Sequence, residues 1–191
     1  MDTPAHRPVL HGHGVTLRPV HPGDAEALLA ATLDPENMRL TGTHAMFTIE
    51  QVRRHYESVA NAQDRFDFAI TRSDDPQSRW LGEAVLRNVD RENRSAGFRI
   101  SLAGQAHYGQ GLGSAAIGLL LDFAFGPLAL HRVELEVYDF DPRARHVYEK
   151  LGFVVEGLRR DALWWEGAWH DAVSMALLES EWSTARDRRG S

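Results

Sequence analysis

The sequence predicts an α/β domain in which helices flank a mixed, mostly antiparallel sheet. Residues Arg132 to Tyr138 alternate in hydropathy, with Val133, Leu135 and Val137 on one face, which is typical of a half-buried strand. Clusters of turn-forming residues separate three other strand-like runs near the middle of the chain. Helical patterns with capping residues stand before and after those runs. Hairpins followed by strand–helix alternation favour this fold class.

The first part of the chain predicts a strand and two helices. Residues Val15 to Val20 alternate like a short strand, and Asp24 stands where it would cap a helix that runs to about Leu33. Thr48-Ile49-Glu50-Gln51 has the spacing of a capping box and begins a second helix. The stretch Asp34 to Phe47 between them has no clear periodicity, and we predict a loop that faces the substrate.

The middle of the chain predicts an antiparallel meander. Its three strands are expected at Phe66 to Arg72, Trp80 to Val89 and Arg94 to Leu102. Turn residues at 73–76 and 90–93 separate them.

The second half predicts two helices and three strands. A helix from Ala115 to Phe125 ends at Gly126-Pro127, and the strand Arg132 to Tyr138 follows. Asp141-Pro142 begins the next helix, because Asp caps and Pro suits the first turn, and Gly152 ends it after Lys150. Two strands close the pattern, one beginning at Phe153 to Glu156 and one at Trp169 to Leu178, joined through Glu166-Gly167.

Composition excludes several classes of protein. The chain has 191 residues with a formal net charge of −6, which argues against nucleic acid as a partner and permits a cationic substrate. It has no cysteine, so disulfides, a thiolate nucleophile and cysteine metal sites are excluded. The ten histidines include no metal-binding spacing beyond His11-Gly12-His13, and we expect no metal.

We expect one domain over residues 14–180. Residues 1–13 are expected to be a flexible N-terminal segment, and residues 181–191 a polar C-terminal tail. The N-terminus has no stretch like a signal peptide, and Asp122 interrupts the longest apolar run. These observations predict a cytoplasmic protein without a membrane partner.

The glycine-rich stretch Tyr108 to Ala116 is the most informative motif. Glycines at 109, 111 and 113 allow the backbone to come close to another group. The predicted helix that follows would present free N–H groups and the positive end of its dipole, which together bind anions, most often phosphate. The stretch therefore predicts a phosphate site.

A dinucleotide site is one alternative, since Gly111 to Ala116 matches the pattern G-x-G-x-x-A. In dinucleotide-binding folds the first glycine follows its strand almost at once, whereas eight residues separate Leu102 from Gly111 here. A tight loop before a packed helix is the other alternative.

A second motif runs from Asp139 to Phe153 and contains Tyr148-Glu149-Lys150-Leu151-Gly152-Phe153. Together with the glycine loop it resembles the GNAT superfamily of acyl-CoA-dependent N-acetyltransferases. Val15 to Pro19 and Trp169 to Met175 resemble the RimJ/RimL branch of that superfamily, and the resemblance extends to Leu178. The chain departs from the family pattern at Tyr108, at Asp141 and Ala144 in place of Asn and Ser, and at Ser95-Ala96-Gly97, where a glutamate is often found.

The resemblance implies an N-acetyltransferase of a GNAT-like fold that uses acetyl-CoA as co-substrate, without a metal. It implies that Tyr148 donates a proton to the leaving thiolate, although this tyrosine could instead be a core residue. Glu83, Asp139 and Asp141 are open alternatives for a general base. The expected cofactor-binding residues are Ile100, Ser101 and Leu102 beside the pantetheine arm, and Gly109, Gln110, Gly111, Leu112, Gly113, Ser114 and Ala115 around the pyrophosphate.

The sequence does not specify the identity of the acetyl acceptor. A protein N-terminal amine or a small amine such as a polyamine or an aminoglycoside is expected, by direct attack in a ternary complex. Trp164, Trp165 and Trp169 could pack, line an acceptor groove or form a dimer contact, and His170-Asp171 could be a structural pair. A homodimer follows from the resemblance alone. Two alternatives remain. The enzyme could use another acyl donor such as succinyl-CoA, or the chain could be a non-catalytic acyl-CoA-binding module.

Overall fold

A computed structural model describes residues 7–190, with side chains to residue 184. Eight strands form one sheet: β1 (Leu10–Gly12), β2 (Val15–Pro19), β3 (Phe66–Arg72), β4 (Gly82–Asp90), β5 (Ser95–Leu102), β6 (Arg132–Tyr138), β7 (Val154–Trp165) and β8 (Ala168–Leu178). Their order across the sheet is β1-β2-β3-β4-β5-β6-β8-β7. Only the β5–β6 pair is parallel, so the predicted mixed, mostly antiparallel sheet is confirmed.

The helices are α1 (Ala25–Thr32), α2 (Pro35–Thr41), α3 (Ile49–Val59), α4 (Leu112–Phe125), α5 (Pro142–Leu151) and α6 (Glu179–Gly190). Short 3-10 turns cover Pro22–Asp24 and Gln105–His107. The main core lies between the sheet and α4, where Phe123 meets the rings of Phe66 and Phe68 edge-on at 5.4 and 5.6 Å. The opposite face of the sheet carries α3, whose Tyr56 is fully buried.

Several element boundaries follow the local chemistry that predicted them. The bounds of β3 and β6 coincide with the expected strands. The capping box is present, because Thr48 Oγ1 accepts from the Gln51 N–H at 3.3 Å and Gln51 Oε1 accepts from the Thr48 N–H at 2.8 Å. Asp141 Oδ1 accepts from the Ala144 N–H at 2.9 Å, and Gly152 ends α5 in the left-handed conformation.

The predicted substrate-facing loop at 34–47 is wrong in part, because Pro35–Thr41 is the helix α2. Two turns are too short to show helical periodicity, but the Asp34-Pro35 start repeats the signal that predicts α5. Asp24 precedes α1 without capping it. Its carboxylate instead accepts from Arg18 at 2.8 and 2.7 Å and from the His21 N–H at 2.9 Å. The glycine-loop helix begins at Leu112 rather than Ala115.

Both ends of the fold extend beyond the expected domain. Residues Leu10–Gly12, within the segment expected to be flexible, pair with β2 as β1. Residues from 181 onward, expected to be a tail, continue helix α6, and Trp182 is buried with its Nε1–H donating to Asp122 Oδ1 at 3.0 Å. Burial of that indole holds the helix against the core. Residues 1–6 and 191 lie outside the described part of the chain.

The parallel pair leaves an opening in the sheet. β5 and β6 pair only from Ser95↔Arg132 to Gly97↔Glu134. Beyond Gly97 the two strands separate, and the gap between Phe98–Leu102 and Leu135–Tyr138 becomes a cleft through the sheet.

Candidate active site

The cleft between β5 and β6 has a volume of about 460 Å³. Residues from both faces of the sheet line it, because the gap joins the two faces. Its walls also include α2, the glycine loop and the first two turns of α5. The lining residues used below are Asn37, Arg87, Phe98, Arg99, Ile100, Ser101, Leu102, Tyr108, Gly109, Gly111, Leu112, Gly113, Ser114, Glu136, Tyr138, Asp141, Arg143 and Tyr148.

The conformation of the glycine loop requires glycine at two positions. Gly109 has φ +72° and Gly111, at the N-cap of α4, has φ +77°. A Cβ at either position would have no atom within 4 Å, so backbone conformation rather than crowding selects glycine there. A Cβ at Gly113 would meet only Leu102 Cδ1, at 3.9 Å. The space around the loop is therefore open to a ligand.

A row of six backbone N–H groups, from Gly109 to Ser114, has no hydrogen-bond acceptor within residues 7–190. The last three belong to the first turn of the 14-residue helix α4, where intrahelical acceptors do not exist. Free N–H groups and the positive dipole end make this an anion site. The chemistry of the donors fits a pyrophosphate.

Two of the expected cofactor residues lie outside the cleft lining. The Ala115 N–H already donates to the Gly111 carbonyl at 3.0 Å, because it is the first to reach an intrahelical acceptor. The Gln110 side chain turns away, donating to the Ala106 carbonyl at 2.6 Å and accepting from Arg72 Nη2. Gln110 therefore contributes only its backbone N–H to the row of unpaired N–H groups. The other eight expected residues all line the cleft.

The cleft edge of β5 offers main-chain groups at alternate residues. The Ala103 N–H donates to the Leu81 carbonyl at 2.8 Å, which sets the phase of the β4–β5 ladder. Bonded pairs recur at every second residue, so Ser101 bonds toward Glu83 on β4, while Ile100 and Leu102 direct their main-chain groups away from β4. The Leu102 carbonyl already accepts from the Gly104 N–H and from Asn37, so Leu102 offers only its N–H. The expected main-chain contact stays a prediction for Ile100 and for the Leu102 N–H, whereas the main chain of Ser101 is directed to β4.

Asn37 on α2 is a site residue that the sequence analysis missed. Its buried Nδ2–H₂ donates to the carbonyls of Ala31 at 3.2 Å and Leu102 at 3.0 Å. Its Oδ1 accepts from the Tyr108 hydroxyl at 3.3 Å. One amide thus joins α2, the end of β5 and the residue before the glycine loop. The sequence feature that could have indicated Asn37 is the Asp34-Pro35 helix start, because a helix beginning there includes residue 37.

Arg143 on α5 was also missed. Its guanidinium lies over the ring of Tyr108, 3.8 Å from the centroid, in a cation–π contact. It brings a positive charge beside the glycine loop, where an anion would bind. Spacing along the chain does not predict this contact, because Tyr108 and Arg143 stand on different elements.

Tyr148 lies on the floor of the cleft. It is 8% exposed, and its ring meets Phe98 at 6.2 Å and Phe153 at 5.8 Å, both edge-on. Burial raises the pKa of the Tyr148 hydroxyl above its ordinary value, and the nearby Asp141 carboxylate raises it further. The hydroxyl has no hydrogen-bond partner among residues 7–190. It is therefore a protonated donor available to a ligand. The ring packs against two aromatic residues, and the hydroxyl is left without a partner among the described residues.

The three carboxylates considered as a base all have other partners. Glu83 lies outside the cleft lining, where Glu83 Oε2 accepts from the Tyr56 hydroxyl at 2.8 Å. Burial, together with neighbouring Asp67, raises the pKa of Glu83 to about 7. Asp141 caps α5, and Asp139 faces His170 Nδ1 at 3.3 Å and the Asp171 N–H at 3.2 Å. The expected His170-Asp171 pair is thus replaced by His170 with Asp139.

The tryptophans separate into two groups. Trp164 and Trp169 contact each other at 5.1 Å and are 48% and 58% exposed. Trp165 instead packs on the His44 ring at 4.8 Å. None of the three lines the cleft described here.

The family description "Acetyltransferase (GNAT) domain" matches residues 15–154, most of the chain. The chain belongs to the GNAT acetyltransferases. It is 30% identical to the "Probable N-acetyltransferase YjcK" of Bacillus subtilis over 91% of this chain and 98% of that protein. It is 34% identical to the spermidine N(1)-acetyltransferase of Vibrio cholerae over 64% of this chain and 67% of that protein.

A solved structure shares the architecture of this acetyltransferase. The crystal structure of spermidine N-acetyltransferase from Vibrio cholerae, in complex with CoA and spermine, superposes with a TM-score of 0.82. The two chains are 25% identical, over 89% of this chain and 98% of that one. This chain is therefore an acyl-CoA-dependent N-acetyltransferase. Along residues 7–190, no helix is long and apolar enough to cross a membrane, and no three His, Asp or Glu side chains gather as metal ligands.

Proposed function

We propose that this enzyme transfers an acetyl group from acetyl-CoA to a primary amine, either a small amine or a protein N-terminal amine. One observation carries the proposal. Five of the six residues with unpaired N–H groups, Gly109 and Gly111 to Ser114, line the same cleft as Tyr148 with its unpaired hydroxyl. A phosphate-bearing donor and a proton donor for its leaving group would therefore meet in one place.

The donor would be held mainly by the main chain. The N–H groups of Gly109 to Ser114 would bind the pyrophosphate, and Arg143 would add a positive charge beside it. The main-chain groups of Ile100 and the N–H of Leu102 would bond the amides of the pantetheine arm as a neighbouring strand does. The Leu102 carbonyl is already engaged, since it accepts from Asn37 and from the Gly104 N–H. Acetyl-CoA supplies an activated acetyl thioester to this site.

Tyr148 would act as general acid in the transfer. The neutral amine nitrogen attacks the thioester carbonyl carbon, the new C–N bond forms, and the C–S bond breaks. The amine releases one proton to solvent, and the Tyr148 hydroxyl gives its proton to the departing thiolate and recovers it from water. The pKa of Tyr148 is raised above the ordinary value of about 10, so the hydroxyl carries its proton at neutral pH.

Similar proteins support an amine acceptor. The relatives named above are an N-acetyltransferase and a spermidine N(1)-acetyltransferase, and the CoA complex contains spermine. Membership of the RimJ/RimL branch, a homodimer and a cytoplasmic location stay predictions.

The test is the substitution Tyr148→Phe. We expect kcat to fall by about 10²–10⁴-fold, the usual contribution of one positioned acid, with CoA affinity unchanged. The matched control is Tyr138→Phe, another cleft tyrosine, whose ring stacks on Phe140, and it should keep kcat. Equal kcat for Tyr148→Phe and the unsubstituted enzyme would contradict the assignment. CoA binding without thiol release across a broad amine panel would indicate a binding module instead.

A further inference from the structure

Two arginines enter the cleft from the face of the sheet that carries α3. On β4 and β5, Arg87 is opposite Gly97, and Arg99 is opposite Val85. Cross-strand partners share a face and successive residues alternate, so both arginines lie on the face of Glu83, which contacts Tyr56 of α3. Phe98 faces the other way and packs on Tyr148. The arginines and Tyr148 thus line the cleft from opposite sides.

The absence of a side chain at Gly97 allows the Arg87 side chain to extend to the gap between β5 and β6. A Cβ on Gly97 would lie 3.4 Å from Arg87 Cγ and 3.6 Å from its Nε, so the Arg87 chain crosses over this residue. Gly97 is the last residue of β5 that pairs with β6. Arg87 and Arg99 are diagonal neighbours across the two strands, about 7–8 Å apart in the backbone, within reach of one shared ligand.

Neither guanidinium has an ion-pair partner or a side-chain hydrogen bond within the described part of the chain. The two carboxylates that line the cleft are both engaged: Glu136 accepts from Arg159 at 2.5 and 2.7 Å, and Asp141 caps α5. Glu83 influences Arg99 electrostatically, but it is buried beneath α3. This side of the cleft therefore presents two guanidinium groups without a direct ion-pair partner among the described residues.

We propose that the amine acceptor carries an anionic group, a carboxylate or a phosphate, which binds Arg87 and Arg99 while its amine faces the thioester. The inference rests on the proposed function and names its substrate class. Guanidinium groups bind both anions through paired hydrogen bonds. A polyamine would place its second positive charge against the two arginines, so the chemistry here differs from that of spermidine.

The experiment compares three acceptors of one chain length. They are δ-aminovalerate with an anionic end, pentylamine with a neutral end and cadaverine with a cationic end. We expect kcat/KM in that order, with δ-aminovalerate at least about tenfold above cadaverine. A second arm, O-phosphoethanolamine against ethanolamine, shows whether a phosphate end raises kcat/KM as a carboxylate end is expected to do.

The double variant Arg87→Gln, Arg99→Gln should lose at least about tenfold in the ratio of δ-aminovalerate to pentylamine turnover. Arg91→Gln, an exposed arginine in the turn after β4, is the matched control and should keep the ratio. CoA affinity is measured for each protein. An unchanged ratio with weakened CoA binding would mean that the arginines hold the donor, and would overturn the inference.

Two further outcomes would overturn it. Preference for cadaverine or spermidine would refute the anionic acceptor while leaving amine acetylation intact. CoA binding without acetylation of any amine would refute the proposed function, and this inference with it.

Discussion

The two ends of the cleft offer different kinds of group to a ligand. At the glycine loop, six consecutive backbone N–H groups have no acceptor among the described residues. The loop conformation restricts the choice of side chain mainly at the positions that require glycine. At the other end, Arg87 and Arg99 present charged side chains from two strands. Main-chain recognition depends on conformation, whereas side-chain recognition depends on which residues the sheet brings together.

This difference explains why one end carries a motif and the other does not. A loop that begins a helix is built from adjacent residues, so its requirements appear as a short pattern. Arg87 and Arg99 share a face only because β4 and β5 pair in one register. The proposed donor end of the cleft, at the glycine loop, can therefore be predicted from the order of residues in the chain. The proposed acceptor end, at Arg87 and Arg99, cannot.

Among the substitutions considered, Gly111→Val is expected to have the largest effect on the proposed donor end of the cleft. A β-branched residue at φ +77° is strained and would shift the row of N–H groups. We expect CoA affinity to fall by about 100-fold, equivalent to about 2.7 kcal/mol. Isothermal titration with CoA measures it.

Gly104→Val is the matched control for that substitution. Gly104 has φ +80° and similarly open surroundings, but it lies outside the cleft lining. It should lose comparable thermal stability and keep CoA affinity. If both variants lost CoA affinity equally, the loss would come from general backbone strain and not from displacement of the N–H groups of the glycine loop.

Asn37→Ala tests the link between α2 and the donor end. The substitution removes two hydrogen bonds donated to carbonyls and one accepted from Tyr108. We expect a loss of about 1–3 kcal/mol in the free energy of unfolding, measured by urea denaturation, with a raised KM for acetyl-CoA. Tyr108→Phe removes only the 3.3 Å bond and should cost less. A larger effect from Tyr108→Phe would contradict the central role of Asn37.

Glu83→Gln tests whether the buried carboxyl beneath the arginine end serves stability or chemistry. The pKa of Glu83 is raised from 4.5 to about 7, so its stabilising contribution is complete below pH 4.5 and is lost as the pH rises through 7. The glutamine variant should therefore be more stable by on the order of 1 kcal/mol at about pH 8, with the difference vanishing near pH 4.5.

Thermal unfolding across that pH range measures the difference. The exposed Glu57→Gln on α3 is the control and should show no such trend. A large loss of kcat in Glu83→Gln with unchanged stability would instead assign Glu83 to the proton path.

Local chemistry predicted much of the fold. The capping box at Thr48, the Asp141-Pro142 start and the alternation of β6 all depend on neighbours a few residues away, and each is present in the structure. The helix α2 was missed because two turns show no period. β1 and α6 were missed because their order comes from long-range pairing and from the burial of Trp182.

By itself, the sequence determined the fold class and the glycine loop, because each is encoded by residues close together in the chain. The resemblance to the GNAT family indicated Tyr148. Only the tertiary structure decided that Asn37 joins β5 to the loop, that Ala115 is already bonded, and that no lining carboxylate is left unengaged. The pairing of β4 with β5 and the separation of β5 from β6 decide these points. Both are interactions between residues far apart in the sequence, which no local pattern records.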